Sequence, residues 1–199
     1  FAAGCDSEEE LNRRLVWEEE FEGAAGQLPD STVWRFDVGT DWGNDQLEYD
    51  TDRPENVSLT GSGYLAITAR EESYLSCDYT SGRINTRERF EHGYGRFEAR
   101  IKLPAGQGIW PAFWMLGNDF GTVGWPACGE IDIMEYRGQE PSVVHGSLHG
   151  PGYSGGDALT LRYTLPGDRF DAGFHVFALQ WDTSRITWYC LLYTSPSPR

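Results

Sequence analysis

GYGRFEARIKL (residues 93–103) alternates apolar and polar side chains along its length. A period of two is what a β-strand with one buried face requires, because successive side chains point to opposite faces. The same alternation recurs in YLAITA (64–69), IWPAFWML (109–116), EIDIMEY (130–136), VVHGSLH (143–149) and FHVFALQW (174–181), with a shorter run, RITWY, at 185–189. Glycine, proline, asparagine and aspartate separate these runs, as turns between strands demand. No amphipathic helix longer than two turns and no internal repeat interrupts them. Evenly spaced strands without intervening helices predict an all-β chain, a sandwich or jelly roll of antiparallel sheets.

Composition agrees with that reading. The chain has 199 residues, enough for one sizeable core. Eight Trp, ten Tyr, ten Phe and 24 Gly suit a turn-rich β fold, a carbohydrate cleft, or both. The formal charge of -15 argues against nucleic acid or an anionic membrane as partner, since each repels an acidic surface. A neutral polymer meets no such repulsion. No stretch approaches the ~20 apolar residues of a membrane span.

Residues 1–14 read as a charged leader or tether. Its start, FAAGC (1–5), resembles the remnant of an export signal, with Cys5 as the candidate lipidation site. Residues 15–189 read as the folded domain. From Cys190 the chain passes into a Ser/Pro tail, 190–199, that cannot continue a ladder, so the domain is expected to be incomplete at its C-terminus. Four cysteines, Cys5, Cys77, Cys128 and Cys190, show no CxxC spacing, and no zinc site is expected. Cys77 and Cys128 could pair in an oxidising compartment or stay as free thiols; the sequence leaves both open.

The segment GEIDIMEY (129–136) carries the chemistry. On a regular strand Glu130 and Asp132 share a face and Glu135 points the other way. One extra residue near Ile133–Met134, a β-bulge, would return Glu135 to the face of the other two. Three crowded carboxyls raise one another's pKa. Glycoside hydrolysis needs one carboxyl ionised and a second protonated, and in retaining enzymes the two stand ~5–5.5 Å apart. The alternative is a solvated strand face, with Ile131 and Ile133 buried behind it.

Aromatic and polar residues surround that segment. Trp110 and Trp114, four apart in an expected strand, project to one face and suit a platform for the C–H face of a sugar. Trp125, just upstream of the acidic strand, is a candidate wall of the same cleft. His145 and His149 share a face of the next strand, where they could bond a carboxyl or a sugar hydroxyl. They lack a third ligand at suitable spacing, and no catalytic metal is expected. Asn44, Glu48 and Arg83 lie in polar, loop-like surroundings and could bind hydroxyls.

These residues carry a family resemblance. EIDIME (130–135) resembles the signature of glycoside hydrolase family sixteen, in a context similar to its laminarinase branch, the endo-1,3-β-glucanases. The matching pieces are TSGRINT (80–86), YGRFEARIKLP (94–104), GIWPAFWML (108–116), GWPACGEIDIMEYRG (124–138), VHGSLHGPGYSG (144–155) and HVFALQWD (175–182). The resemblance implies a β-jelly-roll sandwich with a concave substrate cleft. It makes Glu130 the nucleophile, Asp132 the assisting acid and Glu135 the general acid/base, and it places Trp110, Trp114, Asn44, Arg83 and His149 among the subsites. The inserted Met134 is similar to the bulged branch, not to the shorter motif of lichenases and xyloglucan transferases. The implied substrate is a β-1,3-glucan polysaccharide, cleaved with retention by a monomer outside the cell or at its surface. No cofactor is implied for catalysis. A structural calcium is allowed, with Glu20 and the Gly63 carbonyl as N-terminal contributors. The sequence departs from the family after WY (188–189), where a Val-Asp-Gly hairpin is usual. The rival readings are a glucan-binding protein on the same fold and a sister enzyme acting on agarose, carrageenan or mixed-linkage glucan.

Overall fold

The computed structural model describes residues 14–192; the leader with Cys5 and the end of the tail lie outside these. Residues 14–92 and residues 93–192 form two compact units. Regular structure in both is almost wholly β, as the alternating runs require.

The first unit holds seven short strands: β1 (Arg35–Phe36), β2 (Glu48–Asp50), β3 (Val57–Leu59), β4 (Leu65–Ile67), β5 (Arg70–Tyr74), β6 (Cys77–Ser81) and β7 (Ile84–Asn85). They form three small sheets, ordered β2-β6-β5, β3-β4 and β1-β7. The β2–β6 pair is parallel, an exception to the antiparallel expectation. A buried polar knot ties the unit together. Asn56 Nδ2 donates to Thr80 Oγ1 at 2.9 Å, and Thr51 Oγ1 donates to Asn56 Oδ1 at 2.6 Å. Each polar group that leaves water here finds a partner.

The second unit contains β8 (Gly95–Lys102), β9 (Ala112–Leu116), a one-turn helix α1 (Phe120–Val123), β10 (Glu130–Tyr136), β11 (Val143–His149), β12 (Leu159–Thr164), β13 (Phe174–Trp181) and β14 (Ile186–Leu192). Its two antiparallel sheets run in the orders β12-β11-β10-β9 and β14-β13-β8. Between them lies the core. Ile133, Met134, Tyr136 and Val144 come from the first sheet, and Phe177, Leu179 and Trp188 from the second. Leu103, Leu165 and Phe170 close it from the connections. These inward positions fall on the period-two pattern, with one interruption in β10 that sets the functional face.

Two local departures from the sequence reading stand out. The strand expected over 109–116 begins only at Ala112, so Trp110 lies on the loop before it. Pro111 accounts for this: it has no N–H for a ladder, and it restricts the residue before it. The second departure is at the C-terminal side. β14 runs on to Leu192, three residues past Tyr189, with Cys190 in register with Phe177. Cys77, Cys128 and Cys190 are free thiols. Cys77 Sγ donates to Thr40 Oγ1 at 3.6 Å, and burial pushes the Cys190 thiol up to about 12.

One glycine is dictated by close packing. A Cβ on Gly146, in the middle of β11, would lie 2.4 Å from Trp188 Nε1. The indole of Trp188 therefore occupies the space a side chain would fill. Gly146→Ala is expected to cost about 1–3 kcal/mol through overpacking, read as a lower melting temperature. An unchanged melting temperature would show that the indole moves aside freely.

Candidate active site

β10 carries the interruption. On its β9 side, Asp132 pairs with Trp114 but Met134 pairs with Phe113. On its β11 side, Asp132 pairs with Ser147 and Glu135 with His145. Three steps along β10 thus match two along β11, which is a β-bulge. Ile133 and Met134 both turn into the core, at 3% and 1% exposure. Glu135 returns to the side of Glu130 and Asp132, as the bulged reading of the motif expects.

Residues directly opposite on neighbouring strands share a face. The carboxyl face therefore reads across four strands by register: Ala112, Trp114 and Leu116 on β9; Glu135, Asp132 and Glu130 on β10; His145, Ser147 and His149 on β11; Arg162 and Thr160 on β12. The solvated-face alternative does not describe this arrangement, because Asp132 is only 3% exposed.

The bulge has its own support. Trp188 Nε1 on β14 donates to the Asp132 carbonyl at 2.8 Å. A bulge disrupts the local ladder, and a buried carbonyl without a partner costs about 1–3 kcal/mol. Gly146 leaves room for the indole that supplies this bond. Neither contact could be found in the motif, since Asp132 and Trp188 lie 56 residues apart.

Asp132 holds its proton at neutral pH. Burial first, then the charges of Glu135 and Glu130, and then a hydrogen bond with Glu130 push its carboxyl up to about 9. His149 is the other partner: its Nε2 lies 3.0 Å from Asp132 Oδ2. The direction of that bond follows from the opposite ring nitrogen. Gly155 N–H donates to His149 Nδ1 at 3.1 Å, so Nδ1 carries a lone pair and Nε2 carries the hydrogen. His149 therefore donates to Asp132, and Asp132 donates its own proton to Glu130.

Glu130 has a second donor. Trp125 Nε1 stands 2.7 Å from its Oε2, and the Trp125 ring is half-exposed beside His149, with centroids 5.8 Å apart. Glu135 receives the Ser147 hydroxyl at 3.0 Å on its Oε2, and Ser147 stands 3.1 Å from Thr160 Oγ1. His145 lies on the Glu135 side of the face, 3.5 Å from Arg137 Nη2, and burial together with Arg137 lowers its pKa.

The ligand atoms of Glu130, Asp132 and His149 come within 4.8 Å of one another, close enough to be considered for a metal. In this structure the same atoms are taken up by hydrogen bonds: His149 Nε2 with Asp132 Oδ2, His149 Nδ1 with the Gly155 N–H, and Glu130 Oε2 with Trp125 Nε1. The cluster is built as a hydrogen-bond relay.

The structure thus gathers Glu130, Asp132, Glu135, Trp114, Trp125 and His149 of the residues singled out from the sequence. Trp110 is reached from a loop, 41% exposed, and lines a shallow depression with Gly108, Ile109, Arg137 and Gln139. Asn44 and Arg83 belong to the unit 14–92. There Arg83 Nε pairs with Asp37 Oδ2 at 3.0 Å and its guanidinium lies 4.9 Å from the Trp42 ring centre. Asn44 takes a left-handed backbone, φ 59°. Ser147, Thr160 and Gly155 were missed by sequence reasoning. Ser147 had a signal, because it falls on the same face as His145 and His149, midway between them.

A sandwich bearing a bulged strand of paired carboxyls, with indoles alongside, is the arrangement that glycoside hydrolysis calls for. Residues 36–190 match the family described as glycosyl hydrolases family 16, and the chain belongs to that family. Among solved structures it is similar to the laminarinase catalytic domain of Thermotoga maritima, at 45% identity and a TM-score of 0.82, over 90% of this chain and 76% of that one. Among curated relatives it is 42% identical to a beta-glucanase of Rhodothermus marinus, over 93% of this chain and 66% of the relative. It is 36% identical to glucan endo-1,3-beta-glucosidase A1 of Niallia circulans, over 88% of this chain and 28% of the relative. The chain therefore spans just under two thirds of the first of these relatives and less than a third of the second.

Proposed function

We propose that this protein hydrolyses β-1,3-glucan internally and with retention, using Glu130 as nucleophile and Glu135 as general acid/base. The observation that carries the reading is the bulge in β10, which turns Glu130, Asp132 and Glu135 to one face. In the first step Glu130 attacks the anomeric carbon while Glu135 gives its proton to the departing glycosidic oxygen. In the second, Glu135 takes a proton from water, whose oxygen displaces Glu130 from the sugar. Asp132 and Trp125 each donate a hydrogen bond to Glu130, which holds the nucleophile in place and turns its remaining lone pairs to the sugar.

The substrate class follows from chemistry and from likeness together. The indoles of Trp114 and Trp125 offer apolar faces to a sugar ring beside the carboxyls. The relatives at 36–45% identity are a laminarinase, a beta-glucanase and a glucan endo-1,3-beta-glucosidase. Because the acid stands on the leaving-group side, Trp110, beyond the Glu135 end of the strand, suits the sugars that depart. Asn44 and Arg83 remain candidates for hydroxyl binding. Family-16 hydrolases need no cofactor. The Glu20 carbonyl and the Glu22 carboxylate near Gly63 are oxygens of the kind calcium takes, and the reaction as written assigns such an ion no step. We take the enzyme to act as a monomer outside the cell or at its surface, where a polymer too large to enter would be met. No helix among the described residues is long and apolar enough to cross a membrane.

Reducing-sugar release from laminarin, lichenan and agarose, measured side by side, tests the proposal. Laminarin is expected to be cleaved fastest. Tight laminarin binding without release would assign the fold to glucan recognition, and faster cleavage of agarose would assign it to the sister hydrolases.

A further inference from the structure

Ser147 stands on β11 across from Asp132 on one side and from Thr160 on the other. Its side chain is buried, and its Oγ reaches both Glu135 Oε2, at 3.0 Å, and Thr160 Oγ1, at 3.1 Å. A serine hydroxyl has one hydrogen and two lone pairs. Ser147 spends its hydrogen on Glu135 Oε2, and the Thr160 hydroxyl supplies one to the Ser147 oxygen. The bonds then run in a single direction, from Thr160 through Ser147 to Glu135.

We infer that Ser147 is a positioning residue that decides which oxygen of Glu135 handles the transferred proton. The inference rests on the reading of Glu135 as the acid/base. An oxygen that accepts a hydrogen bond from Ser147 is the carbonyl-like oxygen of the carboxyl, so the acidic proton sits on Oε1. In the first half-reaction Oε1 gives that proton to the departing glycosidic oxygen. In the second, Oε1 takes a proton back from the attacking water. Oε2 accepts from Ser147 throughout, and the serine has no need to turn. Without the serine, either oxygen can hold the proton, and the carboxyl is free to rotate away from the glycosidic bond.

The experiment compares wild type, Ser147→Ala and Ser147→Thr on two substrates. One is laminarin. The other is an aryl β-laminaribioside whose phenol is acidic enough to leave without a proton. Ser147→Ala is expected to lower kcat/KM on laminarin by about tenfold or more, within the range of a proton-transfer contribution. On the aryl substrate, kcat/KM should change by no more than about twofold, since that value reports the first half-reaction alone. Ser147→Thr, which keeps the hydroxyl, should restore laminarin cleavage. Equal losses on both substrates, no loss on laminarin, or no recovery with threonine would overturn the role of Ser147. A wild type that cleaves neither substrate would overturn the proposed function itself, and this role with it.

Discussion

Glu130→Ala is expected to lower laminarin turnover by at least about ten-thousandfold, and azide is expected to restore cleavage by taking the place of the missing carboxylate. The product of that rescue is the inverted glycosyl azide, because one displacement replaces two. Glu135→Ala is expected to fall by about a hundredfold or more on laminarin, the usual range for a lost general acid. Both variants should melt cooperatively, since neither side chain belongs to the core between the sheets. Rates and product configuration, followed by NMR, check the pair. Undiminished hydrolysis by either variant would remove that residue from the reaction.

Asp132→Asn is expected to make the protein more stable and less active. The sign follows from the two states of the carboxyl. Unfolded, an aspartate titrates near 3.9; folded, Asp132 is pushed up to about 9. Between those values the folded chain binds one more proton than the unfolded chain, so stability falls as pH rises across that window. Asparagine removes the ionisation, and it keeps both an N–H for Glu130 and an oxygen for His149. The melting temperature at pH 7 should rise by about 3 °C or more, and its decline between pH 5 and pH 8 should flatten. Turnover should drop by about tenfold or more, because Asn cannot exchange a proton with Glu130 as the charge on that carboxylate changes. A lower melting temperature at pH 7 would mean that the buried carboxyl does not carry the strain assigned to it. Such a trade of stability for activity is usual where a site concentrates like charges.

The parts of this site that could be read from the sequence are those within one strand or one repeat of its period. The insertion of Met134 into an alternating run marked the bulge, and a spacing of four put His149 on a predictable face. What could not be read crosses strands or depends on the backbone. The tautomer of His149 is set by the N–H of Gly155, which sits on a short turn after β11. The prop beneath Asp132 comes from Trp188 in the opposite sheet, through the gap left by Gly146. Trp110 does not lie on the strand that a period of two predicts, because Pro111 keeps the ladder from starting before Ala112. The course of β14 through Leu192 was hidden by the composition of the tail, which draws attention to its prolines and away from the apolar residues before them. The first unit was legible only in part, since strands of two and three residues are too short to show a period.

The hydrogen-bond partners of the three carboxyls are an indole, an imidazole whose two nitrogens are already assigned, and a hydroxyl. None of these bonds relies on a full positive charge. Dissolved ions screen attraction between full charges over roughly 10 Å at 0.1 M, and they act less on a short contact between dipoles. The bonds that align Glu130, Asp132 and Glu135 should therefore bear a change from fresh water to brine better than ion pairs would, in a chain whose net charge of -15 makes its other contacts responsive to salt.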